Sequence, residues 1–166
     1  TAGIRGAVSS ENSLVGSNPG DSVGQNLLAL SNGNYVVRSP NWSGGLGAAT
    51  WGDGMAGIRG AVSSENSLVG SNGGGYVGQN LHELANGNYV VASPHWSGGL
   101  GAATWVDGTA GIRGGVSSEN SLVGSNPGDY VGQNIYALSN GNFVVASSSW
   151  SGGIGAATWG DGTAGI

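Results

Sequence analysis

The chain consists of one sequence unit written three times. The tetrapeptide Gly-Ile-Arg-Gly returns every 54 residues, first at Gly3. The copies occupy residues 3–56, 57–110 and 111–164, with no insertion or deletion between them. A fixed period of this length is typical of repeat architectures, in which each unit is one supersecondary element packed on its neighbours. The sequence therefore predicts a single repeat domain over residues 1–166.

The composition is rich in glycine, with 36 Gly and only 8% charged residues. Collagen is excluded because Gly does not fall at every third position. Disorder is excluded because Val, Ile, Leu and Trp recur at fixed places in each repeat, which disordered chains lack. We expect a folded chain with many tight turns in which Gly supplies a positive φ.

The charge argues against several classes of partner. The net charge is −5, and the few arginines are dispersed, for example Arg5, Arg59 and Arg113 at one per repeat. Nucleic acid binding needs clustered cations, so it is not expected. No apolar run approaches the roughly 20 residues that a membrane helix needs, so membrane insertion is not expected either. Cysteine is absent, which excludes disulfides and thiolate metal sites.

Each repeat carries a strong hairpin signal. In the first repeat, an Asn-Gly pair at residues 32–33 separates the apolar runs 26–30 and 35–39. Asn-Gly suits a type I′ turn, which needs a positive φ at both central residues. The sequence therefore predicts antiparallel pairs in all three repeats. They span residues 27–39, 81–93 and 135–147.

Two further segments read as strands. Residues 46–51 form a run of small residues that ends in Trp, and residues 67–70 form a short apolar run. Residues 57–63 are expected to extend the sheet. No stretch has a sustained 3.6-residue apolar period, so essentially no helix is expected. Four short antiparallel strands in a unit of this length favour an all-β protein of three tandem blade-like repeats, of the β-propeller type. A three-fold β-trefoil or β-prism is the alternative, because three units would close it without a partner.

The order of short motifs resembles the FG-GAP blades of integrin-α-type propellers. Val23-Gly24 stands where that family has Phe-Gly, Ser39-Pro40 stands for Ala-Pro, and Gly-Ala-Ala-Thr-Trp, ending at Trp51, stands for Gly-Ala-Val-Tyr. The unit is also similar to tandem repeats of very large bacterial surface proteins of the filamentous-haemagglutinin or adhesin type. The resemblance implies a propeller, a bacterial cell-surface or secreted location, and a structural or adhesive role.

The sequence lacks the calcium-binding loop of the FG-GAP blades. That loop places several Asp side chains around a Gly, whereas the turn at residues 30–35 has no carboxylate. Calcium requires six to eight oxygen ligands, usually including carboxylates. We therefore expect no cofactor and no metal.

The titratable residues suggest no enzyme. Each of three Asp residues lies in a tight turn, where it is expected to bond its own backbone; they are Asp53, Asp107 and Asp161. Three Glu residues in Ser-Ser-Glu-Asn-Ser segments have no paired carboxylate and are expected in exposed turns; they are Glu11, Glu65 and Glu119. His82 and His95 occur only in the second repeat, without a third metal ligand, and are interpreted as surface variation.

The six tryptophans fall into two sets. Trp51, Trp105 and Trp159 follow small residues and are expected to pack between sheets. Trp42, Trp96 and Trp150 lie in Trp-Ser-Gly-Gly loops, and loops often carry binding groups. An indole face beside Ser and Asn could bind a sugar ring, so these three are the candidate ligand-binding residues. Because Trp is large and usually mostly buried, it could instead fold back over the edge of its own blade.

Three blades are too few to close a propeller, which usually has four to eight. Open blade faces are apolar and are rarely tolerated by a monomer. The sequence therefore predicts a homo-oligomer joined head to tail, most simply a two-chain, six-bladed ring. The expected function is a non-enzymatic structural or adhesive module of a bacterial surface or secreted protein. The alternative is a carbohydrate-binding lectin with one shallow site per repeat.

Overall fold

The computed structural model describes residues 5–166. The chain is an all-β protein of short strands in several small sheets. The strands are β1 (Leu14–Val15), β2 (Asn26–Ala29), β3 (Tyr35–Ser39), β4 (Ala48–Gly52), β5 (Gly60–Ala61), β6 (Leu68–Val69), β7 (Asn80–Glu83), β8 (Tyr89–Ser93), β9 (Ala102–Val106), β10 (Gly114–Gly115), β11 (Leu122–Val123), β12 (Asn134–Ala137), β13 (Phe143–Ser147) and β14 (Ala156–Gly160).

Within residues 5–166, helical structure is limited to one short turn per repeat. These turns are Trp42–Gly45, Trp96–Gly99 and Trp150–Gly153. Each contains a Ser and a Gly with positive φ, for example Ser43 at 51° and Gly44 at 70°, so none is a regular α-helix. Within residues 5–166 no helix has the length and apolar character needed to cross a lipid bilayer.

The predicted hairpins are confirmed in all three repeats. In the first, β2 pairs antiparallel with β3 and places Ala29 opposite Tyr35. The turn between them is not the expected type I′ turn. Gly33 has a φ of 90°, whereas Asn32 is not among the residues with positive φ. The N–H of Gly33 donates to Leu30, and the N–H of Leu30 donates to Asn34. This is a type I turn followed by a left-handed Gly, which also matches the twist of a hairpin.

The first two hairpin sheets are extended by strands from later repeats. β4 pairs antiparallel with β3 on one side and with β6, which belongs to the second repeat, on the other. β10 of the third repeat then pairs with β6 in parallel. The resulting five-stranded sheet has the order β10-β6-β4-β3-β2. The parallel pairs of β1 with β5 and of β6 with β10 depart from the predicted antiparallel blade.

The second and third repeats follow the same plan. One sheet has the order β11-β9-β8-β7, and the next has the order β12-β13-β14. The described residues form no closed barrel. The first two hairpin sheets therefore do not belong to one repeat each, because their outer strands come from the repeats that follow, whereas the third sheet consists of strands of the third repeat alone.

The core lies between successive sheets. One cluster joins the first sheet to the second and includes Val36, Ala49, Tyr89 and Val91, all at most 3% exposed. A second cluster joins the second sheet to the third; it contains Leu84, Val90, Ala92, Ala103, Val131, Ile135, Phe143 and Val145. A smaller cluster lies around Ala48. Burial between sheets is the main stabilising contribution, so the repeats depend on one another for their cores.

Candidate functional site

The loop tryptophans begin the short helical turns and are each half-buried. Trp42 packs against the cluster that contains Ala48, Val62 and Val69. Trp96 packs against the cluster between the first and second sheets. The indole nitrogen of Trp96 is buried and has no hydrogen-bond partner among residues 5–166. These contacts favour a packing role, and sugar binding by Trp42, Trp96 and Trp150 stays a prediction.

A buried carboxylate holds the turn that follows Trp42. Asp21 is 3% exposed. One of its oxygens, Oδ2, accepts hydrogen bonds from the N–H groups of Ser17 and Asn18 at 2.8 and 3.0 Å. The other, Oδ1, accepts one from Ser43, whose φ is 51°. A left-handed Ser is strained, and the Asp21 carboxylate helps to hold it in place.

The same carboxylate site occurs in the third repeat but not in the second. Asp129 is 2% exposed and accepts hydrogen bonds from the N–H groups of Ser125, Asn126 and Ser151. Gly75 stands at the equivalent position in the second repeat, and the left-handed Ser97 is retained there. The carboxylate therefore reinforces this turn without being required to form it.

Hydrogen bonding sets the ionisation of these two carboxyl groups. Burial raises the pKa of Asp21, but the hydrogen bonds from the N–H groups of Asn18, Ser43 and Ser17 together lower it below its ordinary value. The bond from Asn126 is the largest influence on Asp129; burial opposes it, and the bonds from Ser151 and Ser125 help to lower that pKa also. Both side chains are accordingly held as structural anions.

The carboxylates predicted to lie in turns do so. Asp53 accepts hydrogen bonds from the N–H groups of Met55 and Ala56, and Asp107 accepts two from Thr109. The exposed glutamates are Glu11, Glu65 and Glu119. Within the part of the chain that the structure describes, no three His, Cys, Asp or Glu residues lie close enough to hold a metal ion.

The two histidines lie in different surroundings. His95 is exposed, its Nδ1 is 2.8 Å from Oε1 of Gln79, and its ring edge meets Tyr130 at 5.8 Å between centroids. His82 is half-buried in β7, so it is not a simple surface variation. Burial and the nearby Arg38 both lower the pKa of His82, which favours a neutral ring.

The junctions between repeats carry the most elaborate polar contacts. The carbonyl oxygen of Gly108 accepts three hydrogen bonds from the first repeat. The Nδ2 atoms of Asn32 and Asn34 both donate at 3.0 Å, and Nε1 of Trp51 donates at 2.9 Å. We call this arrangement the junction clasp.

Asn34 links two repeats through both ends of its side-chain amide. Its Oδ1 accepts from the N–H of Gly54 in its own repeat at 3.0 Å, while its Nδ2 donates to Gly108 in the next. Glycine is needed at residue 54, because a Cβ there would overlap the carbonyl of Gly33. The backbone of the Gly-Asp-Gly turn thus lies directly against the hairpin turn.

The second junction repeats the clasp. Asn86, Asn88 and Trp105 donate to the carbonyl of Gly162 at 2.7, 2.8 and 3.1 Å. Oδ1 of Asn88 accepts from the N–H of Gly108 at 3.0 Å. Alternating Asn side chains and Gly peptide groups therefore form a continuous amide ladder along the stack. Such chains of hydrogen bonds polarise and strengthen one another.

The clasp is accompanied by apolar packing. Trp51 packs against the cluster between the first two sheets, and Trp105 packs against the next one, as predicted. The same prediction is wrong for Trp159, which is 57% exposed because no further sheet of the described residues covers it. A Cβ on Gly111 would come within 2.6 Å of Trp51, so the indole lies closely over that backbone. Polar and apolar contacts therefore coincide at each junction.

Sequence reasoning identified Trp51 and the Asn-Gly turn but not the clasp. The signal was present in the recurrence of Asn at two positions flanking the turn Gly, with Trp and Gly-Asp-Gly at fixed distances. The sequence did not indicate which distant residue each Asn contacts, because Asn34 and its acceptor Gly108 are 74 residues apart.

Stacked sheets, exchanged edge strands and repeated junctions define the class: an all-β tandem-repeat protein. The chain belongs to the family described as Repeat of unknown function (DUF5650), which matches residues 1–25, 29–79, 83–133 and 137–166. From residue 29 on, the matches restart at the same 54-residue interval as the sequence repeat. No curated protein matches the chain.

Proposed function

We propose that the chain is a non-enzymatic structural and adhesive module of a bacterial surface or secreted protein, built of propeller-type blades. The observation that carries this proposal is the junction clasp, formed by the same residue types at two successive junctions. Residues that recur in every repeat serve to join one repeat to the next. That is the expected use of recurrent residues in a scaffold.

The distribution of charged groups supports a non-enzymatic role. The buried carboxylates Asp21 and Asp129 are occupied by backbone N–H donors. The turn carboxylates Asp53 and Asp107 likewise bond their own turns. An active site usually has titratable groups whose surroundings prepare them for proton transfer or nucleophilic attack. Here the hydrogen bonds of these acids have a structural purpose.

The order of strands supports the propeller-type part of the proposal. β2, β3, β4 and β6 form a four-stranded antiparallel meander, and its neighbour packs against its face. The outermost strand comes from the following repeat, an arrangement that fastens adjacent blades to one another. The bacterial surface location rests on the resemblance to tandem repeats of large adhesins.

Stretching a single molecule from its two ends would test the structural role. Because sheets are shared across repeats, we expect one cooperative rupture of the whole stack. Three separate low-force steps, each releasing roughly 190 Å for a 54-residue unit at about 3.5 Å per residue, would contradict it.

Attachment of coated beads to cultured cells and to plastic would test the adhesive role. We expect binding that survives both a chelator and free sugars. Binding that a sugar abolishes, and that is lost in the triple variant Trp42→Ala, Trp96→Ala, Trp150→Ala, would replace this proposal with a lectin. If the coated beads bind neither cells nor plastic, the adhesive part of the proposed function is wrong.

A further inference from the structure

The dipeptide Asn-Gly occurs four times in the chain, at residues 32–33, 72–73, 86–87 and 140–141. Three copies lie in the hairpin turns, and the copy at 72–73 lies in the loop between β6 and β7. We propose that Asn72 is a site of covalent modification, where the side-chain amide is lost through attack by the protein's own backbone. This inference goes beyond the proposed function, because it concerns the chemistry of one loop and does not depend on adhesion.

The modification requires only the Asn-Gly peptide and water. The backbone nitrogen of Gly73 attacks Cγ of Asn72, and the amide nitrogen leaves as ammonia with the proton of the attacking N–H, which closes a succinimide ring. Water then adds to one of the two ring carbonyls and breaks its bond to nitrogen. Opening at Cγ gives aspartate, and opening at the main-chain carbonyl gives isoaspartate. The net change is an amide and water to a carboxylate and ammonium, with no oxidation or reduction.

The attacking nitrogen is unengaged and accessible at Gly73. Its N–H donates to no acceptor among residues 5–166, and the side-chain amide of Asn72 makes no hydrogen bond with that part of the chain. Both residues are exposed. A Cβ on Gly73 would have only the carbonyl oxygen of Gly44 within 4 Å, at 3.7 Å. The loop therefore has room for the side chain to turn back onto the backbone nitrogen.

The corresponding nitrogen is already bonded in each hairpin turn. The three turn glycines donate their N–H groups at 3.0 Å to the carbonyl three residues earlier; the pairs are Gly33 with Leu30, Gly87 with Leu84, and Gly141 with Leu138. Attack on the side chain would break this bond within the turn. The hairpins therefore protect their Asn-Gly peptides.

The side chains of the hairpin asparagines are held as well. Oδ1 of each accepts from the N–H two residues later, as Asn32 does from Asn34 at 3.0 Å. Nδ2 of Asn32 also donates to Gly108, and Nδ2 of Asn86 donates to Gly162. Turning the amide carbon toward the next nitrogen would break these contacts. Asn72 loses no such contact among the described residues.

The equivalent loops of the other repeats lack the reactive group. Their sequences are Asn18-Pro19 and Asn126-Pro127, and proline has no N–H with which to close the ring. Those loops are also fastened by a carboxylate, because the N–H groups of Asn18 and Asn126 donate to the buried aspartates of their repeats. The second repeat has Gly75 in place of that Asp. Both differences make the second repeat the one in which this loop can react.

The product changes the surface of the second repeat. Aspartate and isoaspartate each add a negative charge to the uncharged segment 66–81. Isoaspartate also carries the main chain through Cγ, which lengthens a turn that the N–H of Gly75 closes on the carbonyl of Asn72 at 3.2 Å. The charge and shape of this loop therefore depend on the time since synthesis, and no enzyme is needed for the change.

Peptide mapping of aged protein tests the site. The purified chain is kept warm in neutral buffer for several weeks and digested, and fragmentation mass spectra locate each converted asparagine. We expect conversion at Asn72 at least tenfold faster than at Asn32, Asn86 or Asn140. An intact Asn72, or equal rates at all four positions, would overturn the proposal.

The same mapping in guanidinium chloride tests whether the fold is the cause. Once the chain is unfolded, the hydrogen bonds of the hairpins are lost, so the four Asn-Gly peptides should convert at similar rates. If Asn72 kept its tenfold lead in the unfolded chain, its selection would come from neighbouring residues and not from the structure, which would overturn the argument.

Two matched variants exchange the reactive group between repeats. Gly73→Pro gives the second repeat the Asn-Pro sequence of the others, and it suits the backbone because Gly73 has no positive φ. This variant should lose conversion at Asn72 and keep its melting temperature. Pro127→Gly should create conversion at Asn126, which is exposed like Asn72. Labelling by an isoaspartate methyltransferase measures both. Labelling at residue 72 in Gly73→Pro, or none at residue 126 in Pro127→Gly, would contradict the mechanism.

Discussion

The side-chain nitrogen of Asn34 lies 3.0 Å from the carbonyl oxygen of Gly108, which is 74 residues later in the chain. The same amide accepts from the N–H of Gly54, which fixes its orientation. One side chain therefore positions two turns from two repeats. Removing it takes away one of the three donors to the carbonyl of Gly108 and the side-chain acceptor of the Gly54 N–H, so the link between the two turns is weakened.

The amide ladder should contribute differently at its middle and at its end. Asn88→Ala removes the bonds to Gly108 and Gly162 and should lower the free energy of unfolding by about 1–3 kcal/mol. Asn142→Ala removes only the bond from Gly162 and should cost about half as much. Urea titration of dilute monomer measures both. Equal losses would mean that the inter-repeat bond contributes nothing.

Acid should weaken the turns held by Asp21 and Asp129. Both carboxyl groups have a pKa that is lowered in the folded state, so the unfolded chain takes up protons first as the pH falls. Their stabilising contribution is full above the ordinary carboxyl pKa of roughly 4 and declines through the lower folded values. Melting temperatures between pH 7 and pH 2 should show this fall. The double variant Asp21→Asn, Asp129→Asn should show a flatter profile, and an unchanged profile would contradict the assignment.

Adding the missing carboxylate to the second repeat should stabilise it. Gly75 has no positive φ, and a Cβ there would lie 3.1 Å from the carbonyl of Asn72, a tight contact that requires a small shift. Gly75→Asp places an acceptor near Ser97 and should raise stability by about 1 kcal/mol. Gly73→Asp adds the same charge at an exposed position and should change little. Thermal unfolding compares the two, and equal shifts would mean that the site is not formed.

The loop tryptophans should differ in their effect on stability. Trp96 packs on the cluster between two sheets, so Trp96→Ala should cost about 2–3 kcal/mol, less than a fully buried aromatic. Trp150 is half-buried but is not part of the three core clusters among the described residues, so Trp150→Ala should cost less. Denaturant titration at fixed pH measures both. Identical small losses would favour an exposed binding role for this set.

Local chemistry made the hairpins predictable. A β-branched run, a turn Gly and a second β-branched run specify antiparallel pairing over a few residues, whatever the rest of the chain does. The predicted type I′ turn was wrong because Gly33 takes a positive φ but Asn32 does not. The side chain of Asn32 donates to the carbonyl of Gly108 and accepts from the N–H of Asn34. The third repeat makes the same turn at Asn140-Gly141, where the side chain of Asn140 bonds only to the N–H of Asn142 among the described residues, so the turn type is selected locally.

The exchanged strands were less predictable. β5 lies within residues 57–63, which the sequence predicts to extend the sheet, but the Gly- and Ala-rich segments of β5 and β10 give no indication of the parallel partner that each finds in the previous repeat. They pair because a strand of the previous repeat, β1 or β6, presents an unpaired edge beside them. Periodicity locates residues that recur, but pairing between repeats depends on how one sheet is placed on the next.

The strand exchange has a consequence for how the gene can change. Because β6 completes the sheet that begins at β2, the folding unit and the sequence unit are out of phase. Crossing-over between two copies of the coding repeat, at whatever point it falls, removes or adds 54 residues and keeps the Asn, Trp and Gly residues of the junction clasp in register. Such a protein can lengthen or shorten by recombination in whole steps, without requiring a breakpoint in any particular loop.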